Sequence, residues 1–144
     1  MAKFLYRFEN IKRIKKTFEK EVQRQLSVLN LEIRKLKDYI EELLLEREEE
    51  KAKVLSKQYL SSSELHFYSD FEKLINKKID VAKGKIKMLE KEKEEKIVEL
   101  TQKAKERKIL EKLEEHHLND FKFKQNKLEQ INIDDMASKK YSKN

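Results

Sequence analysis

The sequence predicts an all-α protein: two long helices folded back as an antiparallel coiled-coil hairpin. Three observations carry that expectation. The 144 residues include no Pro and a single Gly, Gly84. Tight turns depend on those two residues, so sheets, Rossmann units and glycine-rich phosphate loops are excluded. Apolar residues recur at gaps of three and four along both halves, the narrow stripe of a coiled coil. One cluster of poor helix formers, Ser61-Ser62-Ser63, interrupts the pattern near the middle.

The first helix is expected over about 3–58. Its stripe runs through Phe8, Ile11 and Phe18, then Val22, Leu26, Leu29, Ile33, Leu36, Ile40 and Leu43. Lys15 fills the position between Ile11 and Phe18. Phe18, Val22 and Leu26 are separated by two gaps of four, which reads as a stutter that unwinds the supercoil locally. The turn is expected at about 59–63. Ser61 and Glu64 have capping-box spacing, with the Ser hydroxyl accepting from a free backbone N–H and the Glu reaching back to the cap.

The second helix is expected over about 64–137. Its stripe runs through Ile75, Ile79, Ala82, Ile86 and Leu89, then Ile97, Leu100 and Ala104, with Lys93 and a second stutter between. It continues through Leu110, Leu113, His117, Phe121, Lys124, Leu128 and Ile131. Gly84 lies inside this helix at a cost of about 1 kcal/mol relative to Ala. The last residues, Ser142-Lys143-Asn144, are expected to fray. Alone, each helix would leave its stripe in water, so the two must pair or find a partner. The whole chain, 1–144, reads as one coiled-coil domain, the second helix overhanging or covering the N-terminal end.

Charge is concentrated at the ends. Residues 1–20 hold seven Lys/Arg and two Glu, and residues 101–144 hold eleven Lys/Arg and eight Asp/Glu, whereas 21–100 balance to −1. A hairpin brings the two basic ends together, which suits an acidic surface. The absence of Cys removes disulfides, thiolate metal sites and a Cys nucleophile. His116 and His117 are adjacent, so on a helix they point about 100° apart and do not share a metal. No nucleophile lies beside a base. The chain reads as neither an enzyme nor a cofactor or metal carrier. No apolar run approaches the roughly 20 residues of a membrane span, and a soluble cytoplasmic protein is expected.

Two segments are candidate binding surfaces. The opening run Phe4-Leu5-Tyr6-Arg7-Phe8, with Lys12, mixes aromatic and basic residues. Nucleic-acid binding is disfavoured, because the interspersed aromatics continue the packing stripe into the basic segment. Around the turn, Tyr59, Phe67, Tyr68 and Phe71 cannot all face a two-helix seam, so some aromatic surface is expected to stay exposed for a protein partner.

These residues also carry a resemblance. The opening Phe4-Leu5-Tyr6-Arg7-Phe8-Glu9-Asn10-Ile11 is similar to the aromatic-basic start of the FliJ family. Leu65-His66-Phe67-Tyr68-Ser69-Asp70-Phe71, with Leu74 and Ile79, is similar to that family's aromatic segment after the turn. Ala104-Lys105-Glu106-Arg107-Lys108-Ile109-Leu110-Glu111-Lys112-Leu113 resembles its most recognisable helical stretch. The ending Gln130, Asp134-Asp135-Met136-Ala137 and Tyr141 is similar too, with Asp135 where the family usually has Glu.

The resemblance implies a non-enzymatic component of the bacterial flagellar type III export apparatus, at the cytoplasmic face of the inner membrane. It implies an antiparallel coiled coil shaped like the central stalk of rotary ATPases. It implies association with the hexameric export ATPase FliI, the export gate protein FlhA and substrate chaperones. On that basis Phe4, Arg7, Phe8, Lys12, Lys140 and Tyr141 are candidates for the ATPase ring. Tyr59, Phe67, Tyr68, Phe71 and Ile75 are candidates for the gate. The alternatives are the stalk of an injectisome-type secretion system and a generic coiled-coil scaffold without an ATPase.

Overall fold

The structure, a computed structural model, describes residues 2–142. Helix α1 spans Glu9–Ser56 and helix α2 spans Ser62–Ser142. They run antiparallel as a helical hairpin, and no strand occurs among the described residues. Lys143 and Asn144, expected to fray, lie outside the described residues.

The turn occupies 57–61 and uses no left-handed residue. Ser61 caps α2 as its spacing predicts: the Glu64 backbone N–H donates to Ser61 Oγ at 3.1 Å. The reciprocal half of the box is replaced. The Glu64 carboxylate accepts from Lys57 Nζ at 3.3 Å, which ties the two arms of the turn together.

Two compact units are formed, Glu21–Leu100 and Met1–Lys20 with Thr101–Asn144. The central unit, Glu21–Leu100, holds an apolar core. Val22, Leu29, Ile33 and Leu43 of α1 are buried there, as are Ile75, Ile79 and Ala82 of α2. Leu43, Ile75 and Ile79 form its tightest cluster, against which Ile40, Leu44 and Phe71 pack.

The terminal unit is built otherwise. None of its described residues is buried; its seam is polar on the α1 side, while α2 contributes half-buried Leu110, Leu113, Leu118 and Phe121. The half-buried positions at seam spacing are Phe8, just before α1, and Lys12, Lys15 and Glu19 on it, while Ile11 and Phe18 are 46% and 49% exposed. This corrects the expected stripe. With Lys12 and Glu19 admitted, the gaps from Phe8 to Leu43 alternate four and three without a break, and the stutter at Phe18 disappears. The second stutter disappears in the same way. Lys93 and Lys96 are half-buried between Leu89 and Leu100, and Ile97 is exposed. Counting apolar residues alone puts exposed Ile11, Phe18 and Ile97 where Lys12, Glu19 and Lys96 are the half-buried residues, whereas Lys15 and Lys93 lie on the seam as expected. Lys124, Leu128 and Ile131 are exposed as well.

Helix α1 begins at Glu9, later than its pattern suggested. Residues 2–8 are not helical, and Phe4, Tyr6 and Phe8 are half-buried while Leu5 and Arg7 are exposed. That alternation matches the two-residue period of extended chain through Tyr6; Arg7 and Phe8 then form a turn, the Glu9 N–H donating to the Tyr6 carbonyl at 3.2 Å. Phe8 then starts the helix, its carbonyl accepting from the Lys12 N–H at 2.9 Å.

Candidate functional site

The extended segment sets an aromatic cluster onto α2. The rings of Phe4 and Phe121 lie 5.5 Å apart, and Tyr6 and Phe8 flank the His117 ring at 5.9 and 6.3 Å. Tyr6 Oη–H donates to the Leu110 carbonyl at 2.7 Å. Desolvation raises the Tyr6 pKa, reinforced by the Glu114 carboxylate, so the hydroxyl stays a donor. The Arg7 guanidinium sits over the Phe8 ring at 5.5 Å and remains exposed.

Below the aromatics the polar seam is closed by ion pairs. Lys12 Nζ reaches Glu114 at 2.5 Å and Glu9 at 3.1 Å. The hydrogen bond to Glu114 pushes the Lys12 pKa above its ordinary value. Lys15 Nζ meets Glu106 at 3.0 Å and holds that carboxyl below the usual carboxylate range. Arg107 Nε contacts Glu19 at 2.6 Å, and its Nη1 contacts Glu111 at 3.0 Å. These half-covered pairs fix register between α1 and α2 where no apolar core exists. Individually such pairs stabilise little, but a network in good geometry orients the two elements.

At the turn a second feature forms within the central unit. An open cleft of about 610 Å³ lies between the end of α1 and the start of α2. Its apolar lining comes from Val54, Leu60, Phe67, Tyr68 and Phe71, and its rim from Lys53, Lys57 and Glu64. Burial raises the Tyr68 pKa, with the Glu72 carboxylate adding to the effect.

The candidate residues are thus placed unequally. Phe4, Phe8 and Lys12 are engaged with α2, whereas Tyr141 is 86% exposed and Lys140 lies beside it on the last turns. Tyr59 and Phe67 are 88% and 72% exposed. Tyr68 and Phe71 are half-buried. Ile75, at 2% exposure, is a core residue that holds Phe71 in place rather than a surface contact. Tyr6, part of the opening run expected to form a binding surface, is joined in the aromatic cluster by His117 and Phe121, which the sequence offered only as seam positions. The signal for the cluster was the two-residue period of Phe4, Tyr6 and Phe8.

No group of three or more His, Cys, Asp or Glu residues that could hold a metal occurs among the described residues. No described helix is long and apolar enough to cross a membrane.

An antiparallel pair of long helices, with no strand among the described residues, defines an all-α helical-hairpin protein. Residues 4–144 match the family described as flagellar FliJ protein, and the chain belongs to that family. It is therefore a component of the flagellar type III export apparatus. No curated protein and no solved structure matches it.

Proposed function

We propose that this chain is the central stalk of the flagellar export ATPase, inserting into the FliI ring and linking it to the gate protein FlhA and to export chaperones. The observation that carries this reading is the family match over nearly the whole chain on an antiparallel helical hairpin. Charge supports the assignment of ends. The sequence forming the terminal unit carries eighteen Lys/Arg against ten Asp/Glu, while the central unit is near neutral. A basic surface steers toward an acidic one. Phe4, Arg7, Phe8, Lys12, Lys140 and Tyr141 therefore face the ring, with Arg7, Lys140 and Tyr141 as its free side chains. The cleft beside the turn serves the gate through Tyr59 and Phe67, with Tyr68, Phe71 and Ile75 supporting them from beneath.

The test is ATP hydrolysis and ring formation by the export ATPase of the same organism, with and without this protein. Stimulation, with density in the ring pore by electron microscopy, is the expected outcome. No effect and no complex at micromolar concentration refutes the stalk. The division of ends has its own check: Tyr59→Ala with Phe67→Ala weakens gate binding and leaves ring binding intact. Equal loss of both, with helicity retained, refutes that division.

A further inference from the structure

Residues 2–8 satisfy two spacing patterns, and the structure uses one of them. In the extended form Phe4 and Tyr6 reach α2, while Leu5 is left 82% exposed. Side chains alone hold the segment there. The Phe4 ring meets Phe121, the Tyr6 ring meets His117, and the Tyr6 hydroxyl donates to the Leu110 carbonyl. Residues 2–5 make no backbone hydrogen bond with any described residue. A segment with few packed side chains and unpaired backbone opens at low cost.

The same residues fit a helix that continues α1 toward the N-terminus. The half-buried positions Phe8, Lys12, Lys15 and Glu19 are spaced four, three and four. The next step of that rhythm, three residues before Phe8, falls on Leu5. A helical continuation therefore seats on the seam the side chain that the extended form leaves in water. A second line runs along α1 beside the seam. Ile11, Ile14 and Phe18 are 46%, 52% and 49% exposed and are spaced three and four. Lys103 Nζ stands over the Phe18 ring at 5.5 Å and leaves it half exposed. Two more steps of that rhythm, four and then three, reach Arg7 and Phe4. In the helical form Tyr6 lies about 200° around the helix from Phe8 and leaves α2. The two forms exclude each other: Tyr6 on α2, or Leu5 on the seam.

We propose that residues 3–8 are a two-state strap that withholds part of the ring-binding surface. Extended, the strap stows Phe4 against Phe121 and holds the Arg7 guanidinium over the Phe8 ring. Helical, it seats Leu5 and brings Phe4, Arg7, Ile11, Ile14 and Phe18 onto one face. Phe8 keeps its seam spacing in both forms and is the pivot. The helical form is the one that the ATPase ring takes, so the extended form is autoinhibitory. This use of the strap rests on the assignment of Phe4 and Arg7 to the ring. A partly apolar, acidic surface suits a line of four apolar side chains with one Arg among them. A surface that engages only the aligned face shifts the strap by its difference in affinity for the two forms.

Two substitutions push the strap in opposite directions. Tyr6→Ala removes the Leu110 hydrogen bond and the His117 ring contact, and Ala favours helix. Arg7→Pro does the reverse. The Glu9 N–H donates to the Tyr6 carbonyl, and no described non-glycine residue has positive φ. That fits a type I turn with Arg7 at its second position, where proline is favoured. In a helix through Lys3 the same proline removes a needed N–H. Backbone chemical shifts of the full chain read the state of residues 3–7. They should be extended in the parent, helical in Tyr6→Ala, and extended again when Arg7→Pro is added, with unchanged shifts at 9–20 verifying that α1 is intact. The concentration giving half-maximal stimulation of the export ATPase should fall about threefold with Tyr6→Ala. It should be about tenfold higher for Arg7→Pro than for Arg7→Ala, which loses the same charge without the constraint. Shifts that do not turn helical in Tyr6→Ala overturn the two-state strap. Equal half-maximal concentrations for Arg7→Pro and Arg7→Ala overturn its control of ring binding. A parent chain with no effect on the ATPase refutes the stalk reading instead, and the shifts then decide the strap alone.

Discussion

Lys15 occupies a position where a coiled coil ordinarily carries an apolar side chain, and the pattern of apolar gaps around it revealed as much. Lys12 and Glu19 occupy equivalent positions and went unread, because exposed Ile11 and Phe18 stood beside them as plausible substitutes. The difference is one of partners. Lys12, Lys15 and Glu19 each meet an opposite charge on α2, at Glu114, Glu106 and Arg107. Nothing in α1 alone announces that pairing. The Lys15 hydrogen bond is the largest influence holding Glu106 below the usual carboxylate range. A depressed carboxyl contributes stability above its ordinary range and loses it as pH falls through its folded value. Replacing Lys15 by Met keeps most of the stem and removes the charge. Glu106, followed by carboxyl NMR, should then titrate at a higher pH than in the parent protein. An unchanged midpoint would assign the depression to Lys103 and Gln102 instead.

At the scale of the element, the two helix starts were legible to different degrees. The cap of α2 is a local device, Ser61 on the Glu64 N–H, and spacing alone identified it. The start of α1 depends on where Phe4, Tyr6 and Phe8 find aromatic partners on α2. Helical and extended periods compete there over too few residues for the sequence to decide. Gly84 poses the opposite case, a helix-interior residue with no visible requirement. A Cβ built there meets nothing within 4 Å, and no described glycine adopts positive φ. Gly84→Ala should therefore gain roughly 1 kcal/mol from helix propensity alone, read from urea unfolding followed by circular dichroism. A loss of stability would show that α2 bends or packs at Gly84.

The whole molecule joins two kinds of packing in one pair of helices, and they should respond differently to salt. The seven buried side chains among the described residues all belong to the central unit. Its stability rests on apolar burial, which salt does not screen. The terminal unit rests on the Lys12, Lys15 and Arg107 ion pairs and on the Phe4, Tyr6 and Phe8 rings. At 1 M salt the screening length falls to about 3 Å, comparable to the pair separations. Residues 126–142 are exposed throughout and add no buried side chain, and an isolated helix of that length is marginal in water. Hydrogen exchange at constant pH should thus resolve three classes. Amides between Val22 and Ala82 within the helices exchange slowest and are indifferent to 1 M NaCl. Those of 9–20 and 101–121 exchange measurably faster when the salt is added. Those of 126–142 exchange fastest in either condition. Uniform protection across the classes, or a salt response confined to the central unit, would show that the ionic seam contributes no more to cohesion than the surface charge around it.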